Sequence, residues 1–148
     1  MVIDTMTLQD VEQVAEIERS VFSTPWSAQA FIDTLSMDGV IFLVAREEKR
    51  ILGYCGIYLA ADEGEITNVA VHPEHRRNGI ARALMEKLLT NAGDRGAAHI
   101  ILEVRQSNEA AIRLYESTGF ESCGVRKRFY RQPVEDALLM CRHTSNFH

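Results

Sequence analysis

Arg76-Arg77-Asn78-Gly79-Ile80-Ala81-Arg82 gathers three arginines and a glycine where one apolar pattern gives way to another. Residues 65–71 read as a strand and His72-Pro73-Glu74-His75 as a turn. Apolar residues then recur at Ile80, Ala81, Leu84, Met85, Leu88 and Leu89, the period of a helix buried on one face. The first amides of a helix have no partner within it, and the macrodipole places partial positive charge there. With fixed cations around it and a glycine that lets a ligand approach the backbone, such a start suits phosphate. Spacing alone leaves a plain strand-to-helix turn with solvated arginines open, because short glycine patterns match by chance.

A second group with chemical potential is Glu103. Residues 99–105 read as a strand, with Ile100, Leu102 and Val104 on one face and Ile101, Glu103 and Arg105 on the other. A carboxylate there is costly unless it is paired, hydrated or used. A salt bridge to Arg105 or another cation is the structural alternative. Asn108 and Tyr115 lie two helical turns apart, on one side of the following helix. Taken singly, they read as a helix cap and a core tyrosine.

Other chemistries are disfavoured. No Gly-x-x-x-x-Gly-Lys occurs, and no Gly-x-Gly-x-x-Gly follows an early strand, which argues against P-loop and dinucleotide sites. Cys55, Cys123 and Cys141 are odd in number and widely spaced with no Cys-x-x-Cys, so neither a disulfide framework nor a zinc site is expected. None has a neighbouring histidine or basic cluster that marks a nucleophile; Arg126 near Cys123 reads as chance. A reducing cytoplasm follows as the expected compartment. No apolar run approaches the roughly 20 residues of a membrane span, and the N-terminus lacks the plan of a signal peptide. The net charge of -5 and the acidic turn Asp62-Glu63-Gly64-Glu65 suit a positively charged peptide better than nucleic acid. Arg126-Lys127-Arg128 with Arg131 reads as a solvated strand rather than an RNA-facing patch.

The elements that must position these groups follow in order. At 148 residues the chain is expected to be one domain, 1–148, with a real core. Residues 2–6 read as a strand and Thr7 as a helix cap. Leu8, Val11, Val14, Ala15, Val21 and Phe22 give a first amphipathic helix, which Pro25-Trp26-Ser27 breaks. Ser27 caps a second helix carrying Ala30, Phe31, Ile32 and Leu35, ended by Asp38-Gly39. Residues 40–45 and 51–60 form a hairpin leading into the strand before the arginines. After Glu103, Asn108 caps a helix that Gly119 terminates in a left-handed conformation.

Arg76-x-x-Gly79-x-Ala81 after Val69-Ala70-Val71-His72-Pro73 resembles the acyl-CoA-binding signature of the GNAT family of N-acetyltransferases: Gln or Arg, two residues, Gly, one residue, then Gly or Ala. Leu102-Glu103-Val104-Arg105-x-Ser107-Asn108-x-Ala110-Ala111-x-x-Leu114-Tyr115-Glu116-x-x-Gly119-Phe120 is similar to the C-terminal half of one branch, the ribosomal-protein-alanine N-acetyltransferases. Phe22-x-x-Pro25-Trp26-Ser27-x-x-x-Phe31 resembles that branch's entry helices. Tyr130 with Glu135-Asp136-Ala137-x-x-Met140 resembles its closing hairpin.

The resemblance implies an α/β (α+β) fold: a mixed, mostly antiparallel sheet with flanking helices, splayed between the strands of Val69 and Leu102. It implies acetyl-CoA as cosubstrate and no metal. Arg76, Arg77, Asn78, Gly79, Ile80, Ala81 and Arg82 would surround the pyrophosphate. The backbone of Val69, Ala70 and Val71, at a bulge, would pair with the pantetheine arm, and Asn108 would complete that site. Glu103 would be the base, acting through a water, and Tyr115 would hydrogen-bond to or protonate the leaving thiolate. The function implied is direct acetylation of the N-terminal alanine of a small-subunit ribosomal protein, without an acyl-enzyme. Acetylation of another N-terminus, a lysine or a small amine on the same fold is the runner-up. A non-catalytic acyl-CoA-binding regulator is the third reading, against which stand both Glu103 and Tyr115.

Overall fold

The computed structural model describes residues 1–76 and 78–144. Arg77, one of the expected anion-binding positions, and the C-terminal tail 145–148 lie outside the described residues. The elements are β1 (Val2–Thr5), α1 (Val11–Val21), α2 (Ala28–Leu35), β2 (Val40–Glu47), β3 (Arg50–Ala60), β4 (Glu63–Val71), α3 (Ile80–Asp94), β5 (His99–Arg105), α4 (Glu109–Ser117), β6 (Glu121–Tyr130) and β7 (Glu135–His143). Single 3-10 turns at Leu8–Asp10 and Pro73–His75 lead into α1 and towards α3.

The strands form one seven-stranded sheet in the order β1-β2-β3-β4-β5-β7-β6. Every neighbouring pair is antiparallel except β4 and β5. That parallel pairing runs only from Glu63↔His99 to Ile66↔Leu102. Beyond it the two strands diverge, and residues 67–71 keep β3 as their one strand neighbour. The expected splayed, mostly antiparallel sheet is therefore present.

Each face of the sheet has its own core. Leu84, Met85 and Leu88 of α3, with Tyr115 of α4, pack on Leu43, Ile57 and Leu102. Val14 of α1 and Phe31 of α2 pack on Phe42, Val44 and Tyr54 on the opposite face. The helix boundaries follow local chemistry. Ser27 Oγ accepts a hydrogen bond from the Ala30 amide at 3.1 Å, satisfying one of the free donors at the start of α2. Gly119 at φ +98° turns the chain out of α4, a conformation that disfavours a residue with a Cβ.

Two expectations need correction here. The apolar stripe of α1 does not begin at Leu8, which is exposed; Met6 occupies the core instead. Residues 8–10 form the 3-10 turn because Asp10 accepts from the Thr7 amide at 2.9 Å and binds Arg46 through both oxygens, at 3.2 and 3.0 Å. Cys123 and Cys141, expected to be unpaired, form a disulfide. Sequence separation hides the pairing: β6 and β7 are antiparallel neighbours, and the register shift between Ser122 and Gly124 falls at Cys123.

Candidate active site

The cleft opens where β4 and β5 part. A bulge places Ile57 opposite Ile66 and Gly56 opposite Asn68, leaving Thr67 as the extra residue. The expected bulge at 69–71 is therefore upstream of that position. The His72 amide donates to the Leu52 carbonyl at 2.7 Å, towards β3. Strand backbone alternates direction, so Ala70 also pairs towards β3, whereas the amides and carbonyls of Val69 and Val71 face the cleft. Of the three expected backbone contacts, Ala70 is thus turned away.

At the mouth of the cleft, Gly79 is the N-cap of α3 with φ +74°. A Cβ built there would meet no atom of the described residues within 4 Å, so among them the space in front of the helix start is open. The first α3 bond outside the turn runs from the Ala83 amide to the Gly79 carbonyl at 3.1 Å, which leaves the amides of Ile80, Ala81 and Arg82 without intrahelical acceptors. Open space, free amides and the positive end of a 15-residue helix fit a pyrophosphate. Arg76 and Asn78 are exposed beside it. Arg82 instead reaches sideways, donating to Ser117 Oγ of α4 at 2.7 Å. Asn108 is an exposed helix cap: its Oδ1 accepts from the Ala111 amide at 3.2 Å.

Glu103 and Tyr115 approach the cleft from opposite faces of the sheet. Tyr115 is 8% exposed and belongs to the α3-side core, its ring 6.1 Å from that of Phe120. Burial pushes its phenol well above the ordinary range, with the neighbouring Tyr130 and Cys55 adding to the shift. A phenol so far above a thiol pKa near 8.5 gives up its proton to a thiolate only uphill. Of the two roles expected for Tyr115, hydrogen bonding to the leaving sulfur therefore fits better than protonating it. Tyr115→Phe is expected to lower kcat by about 10²-fold, the size of losing one positioned donor, with no change in the loss below about pH 8. A pH series of initial rates checks this; a loss that grows steadily with pH would contradict it.

The Glu103 side chain is 11% exposed, and its Oε2 is buried with no hydrogen-bond partner among the described residues. Burial raises its pKa, Arg126 lowers it and Glu65 raises it again. Of the candidate cations, Arg126 is the one that lies near, and Arg105 is engaged elsewhere. The Arg105 guanidinium donates to the Pro133 and Arg131 carbonyls, each at 3.0 Å, and to Glu135 at 3.3 Å. It also lies 4.5 Å from the centre of the Tyr130 ring. These contacts tie the loop between β6 and β7 to the end of β5. Tyr130 is pushed up to about 12, by burial first and then by the Glu103 charge, so its hydroxyl stays protonated beside the carboxylate.

Sequence reasoning missed one buried cluster. Glu18, 3% exposed, accepts from the Trp26 amide at 3.0 Å through Oε2. Its Oε1 accepts from Asn68 Nδ2 at 3.3 Å and from the Tyr54 hydroxyl. Burial drives the Tyr54 phenol far up, followed by the Glu18 charge, so the phenol is the donor. One carboxylate therefore links the loop before α2 to the strand that carries Val69. Its signal was present: Glu18 falls on the inward stripe of Val11, Val14 and Ala15, where an unpaired charge is not tolerated.

No cysteine is available as a nucleophile among the described residues. Cys55 is fully buried, which raises its thiol pKa, and the other two are bonded to each other.

A split sheet with a glycine-led helix start at its mouth and a buried carboxylate across the gap is the framework of an acyl-transferring enzyme. Residues 11–120 match the acetyltransferase (GNAT) family, and the chain belongs to it. GNAT acetyltransferases take their acetyl group from acetyl-CoA. The [ribosomal protein bS18]-alanine N-acetyltransferase of Escherichia coli strain K12 is 34% identical over 93% of this chain and 94% of its own. The N-alpha-acetyltransferase RimI of Mycobacterium tuberculosis is 35% identical over 97% of this chain and 93% of its own. The crystal structure of the Escherichia coli ribosomal-protein-S18-alanine N-acetyltransferase superposes with a TM-score of 0.89 at 30% identity, covering 99% of this chain and 98% of that one.

Proposed function

We propose that this chain, acting as one domain in the cytoplasm, moves the acetyl group of acetyl-CoA onto the N-terminal alanine of a small-subunit ribosomal protein. The observation that carries the reading is the buried, unpartnered carboxylate of Glu103 on β5, just past the point where β5 parts from β4, in a chain similar throughout to enzymes named for that reaction. Acetyl-CoA supplies the activated thioester. The free amides of Ile80, Ala81 and Arg82, with Gly79 open before them, hold its diphosphate. Val69 and Val71 present backbone donors and acceptors along its arm, and one of those amides faces the developing oxyanion. Glu103 takes the amine proton through a water, its raised pKa bringing it closer to that of the amine. Tyr115 hydrogen-bonds to the sulfur as it leaves.

The acceptor's charge state favours a chain end. An α-amine has a pKa of about 7.7–8.0 and a lysine near 10.4, so neutral solution holds several hundredfold less free lysine base. One water-relayed carboxylate does not close that gap. Neither nucleic acid nor membrane is part of this reading; no helix among the described residues is long and apolar enough to cross a bilayer. The test uses two peptides beginning Ala-Arg and containing lysines, one with a free and one with a blocked N-terminus. Acetylation of the free peptide at its N-terminus alone is expected. Equal acetylation of both would replace this reading with a lysine acetyltransferase, and release of CoA with neither would leave a small amine as acceptor.

A further inference from the structure

We infer that Arg126, on the outer strand β6, keeps Glu103 ionised while leaving its proton-accepting oxygen free. The inference rests on Glu103 serving as the base in the proposed function.

Arg126 Nε lies 3.6 Å from Glu103 Oε2. That is close enough for charge to act and too long for a hydrogen bond. The buried Oε2 therefore feels a positive neighbour yet retains its lone pairs, as its lack of a hydrogen-bond partner among the described residues shows. Oε2 itself is closed to water, so the relaying water meets the other oxygen, Oε1, while Arg126 sits at Oε2. An arginine bonded to both oxygens would occupy that position, and an isolated carboxylate would draw a proton into the half-dry cleft.

The alternatives for this role are accounted for. Arg105, two residues along the same strand face, spends its guanidinium on Glu135, two loop carbonyls and the Tyr130 ring. Glu65 on β4 opposes ionisation of Glu103. Tyr130 on β6 is neutral, and Glu135 on β7 is held well below the usual carboxylate range, first by the Ser107 hydrogen bonds and then by Arg105. Arg126 is thus the one nearby cation not already committed to another carboxylate, among the described residues.

Its placement follows from the edge of the sheet. Glu103 pairs with Leu139, and Arg126 and Arg105 each pair with Ala137, so the three side chains share one face across β5, β7 and β6. Arg126 is 55% exposed, and among the described residues it also lies 5.7 Å from the centre of the Phe129 ring. Arg126 is accordingly a positioning residue, and replacing it removes no core packing.

The experiment follows kcat/KM for the Ala-Arg peptide from about pH 5 to about pH 8 in wild type, Arg126→Gln and Arg126→Lys. The ratio of variant to wild type cancels the ionisation of the acceptor amine, which is common to both. For Arg126→Gln the ratio is expected to fall by about threefold or more towards acid, because loss of a cation at this distance raises a carboxylate pKa. At the alkaline end, where Glu103 is ionised in both proteins, it converges on wild type. Arg126→Lys restores the charge and tracks wild type. A pH-independent ratio in a variant with unchanged acetyl-CoA affinity overturns the inference and leaves the proposed function standing. Full activity in Glu103→Gln overturns both.

Discussion

Glu103→Gln is expected to reduce kcat/KM for the acceptor peptide by about 10²-fold or more, within the range for loss of a general base, while acetyl-CoA affinity holds. The amide keeps the shape of the carboxylate but takes no proton, so the deficit is full where Glu103 is ionised and shrinks towards acid, where the wild type's carboxylate is itself protonated. The same change should make the protein more stable at neutral pH. Burial raises the Glu103 pKa above its unfolded value, so the folded state binds a proton more tightly than the unfolded chain. Stability from this group is present in full below the unfolded pKa and is lost as pH rises through the folded one. Above that window the wild type carries an unfavourable charge that glutamine lacks. Thermal unfolding of the two proteins at several pH values checks this: their difference should grow with pH and then level off. A less stable Glu103→Gln would show that the carboxylate serves the fold rather than the reaction.

Gly79→Val is expected to abolish measurable stabilisation by acetyl-CoA. Two effects combine in it, and a second variant separates them. Valine is strained at φ +74°, and its branched side chain fills the open space before α3. Asparagine tolerates the left-handed region yet still fills that space. Gly79→Asn should therefore fold with near wild-type stability and still lose the ligand-dependent rise in melting temperature. If Gly79→Asn binds acetyl-CoA as tightly as wild type, the diphosphate lies somewhere other than the helix start.

Much of the scaffold was legible because its signals are local. The period of Leu84, Met85 and Leu88, the Ser27 and Asn108 caps and the Gly119 terminator each depend on neighbours a few residues away. The alternation around Glu103 likewise placed it on the face opposite Leu102 and Val104, where the structure has it. The identity of its charged neighbour was not local. Arg105 stands two positions along and pairs elsewhere, whereas Arg126 reaches Glu103 across β7. The same holds for Cys123 and Cys141, apart in sequence and adjacent in the sheet. The bulge at Thr67 also escaped, because register is set by the pairing of two strands and one sequence shows only one of them. For that reason the sequence groups Ala70 with its neighbours, although alternation turns it towards β3.

The parting of β4 and β5 leaves a gap through the sheet, with Glu103 on the α1 side and Tyr115 on the α3 side. Two reactants reaching such a gap from opposite sides have no need to take turns. Initial-rate plots against one reactant at fixed levels of the other should then intersect. Desulfo-CoA, filling one entrance, should compete with acetyl-CoA and leave the peptide able to bind. An N-terminally acetylated peptide should do the converse, so each inhibitor acts from its own side.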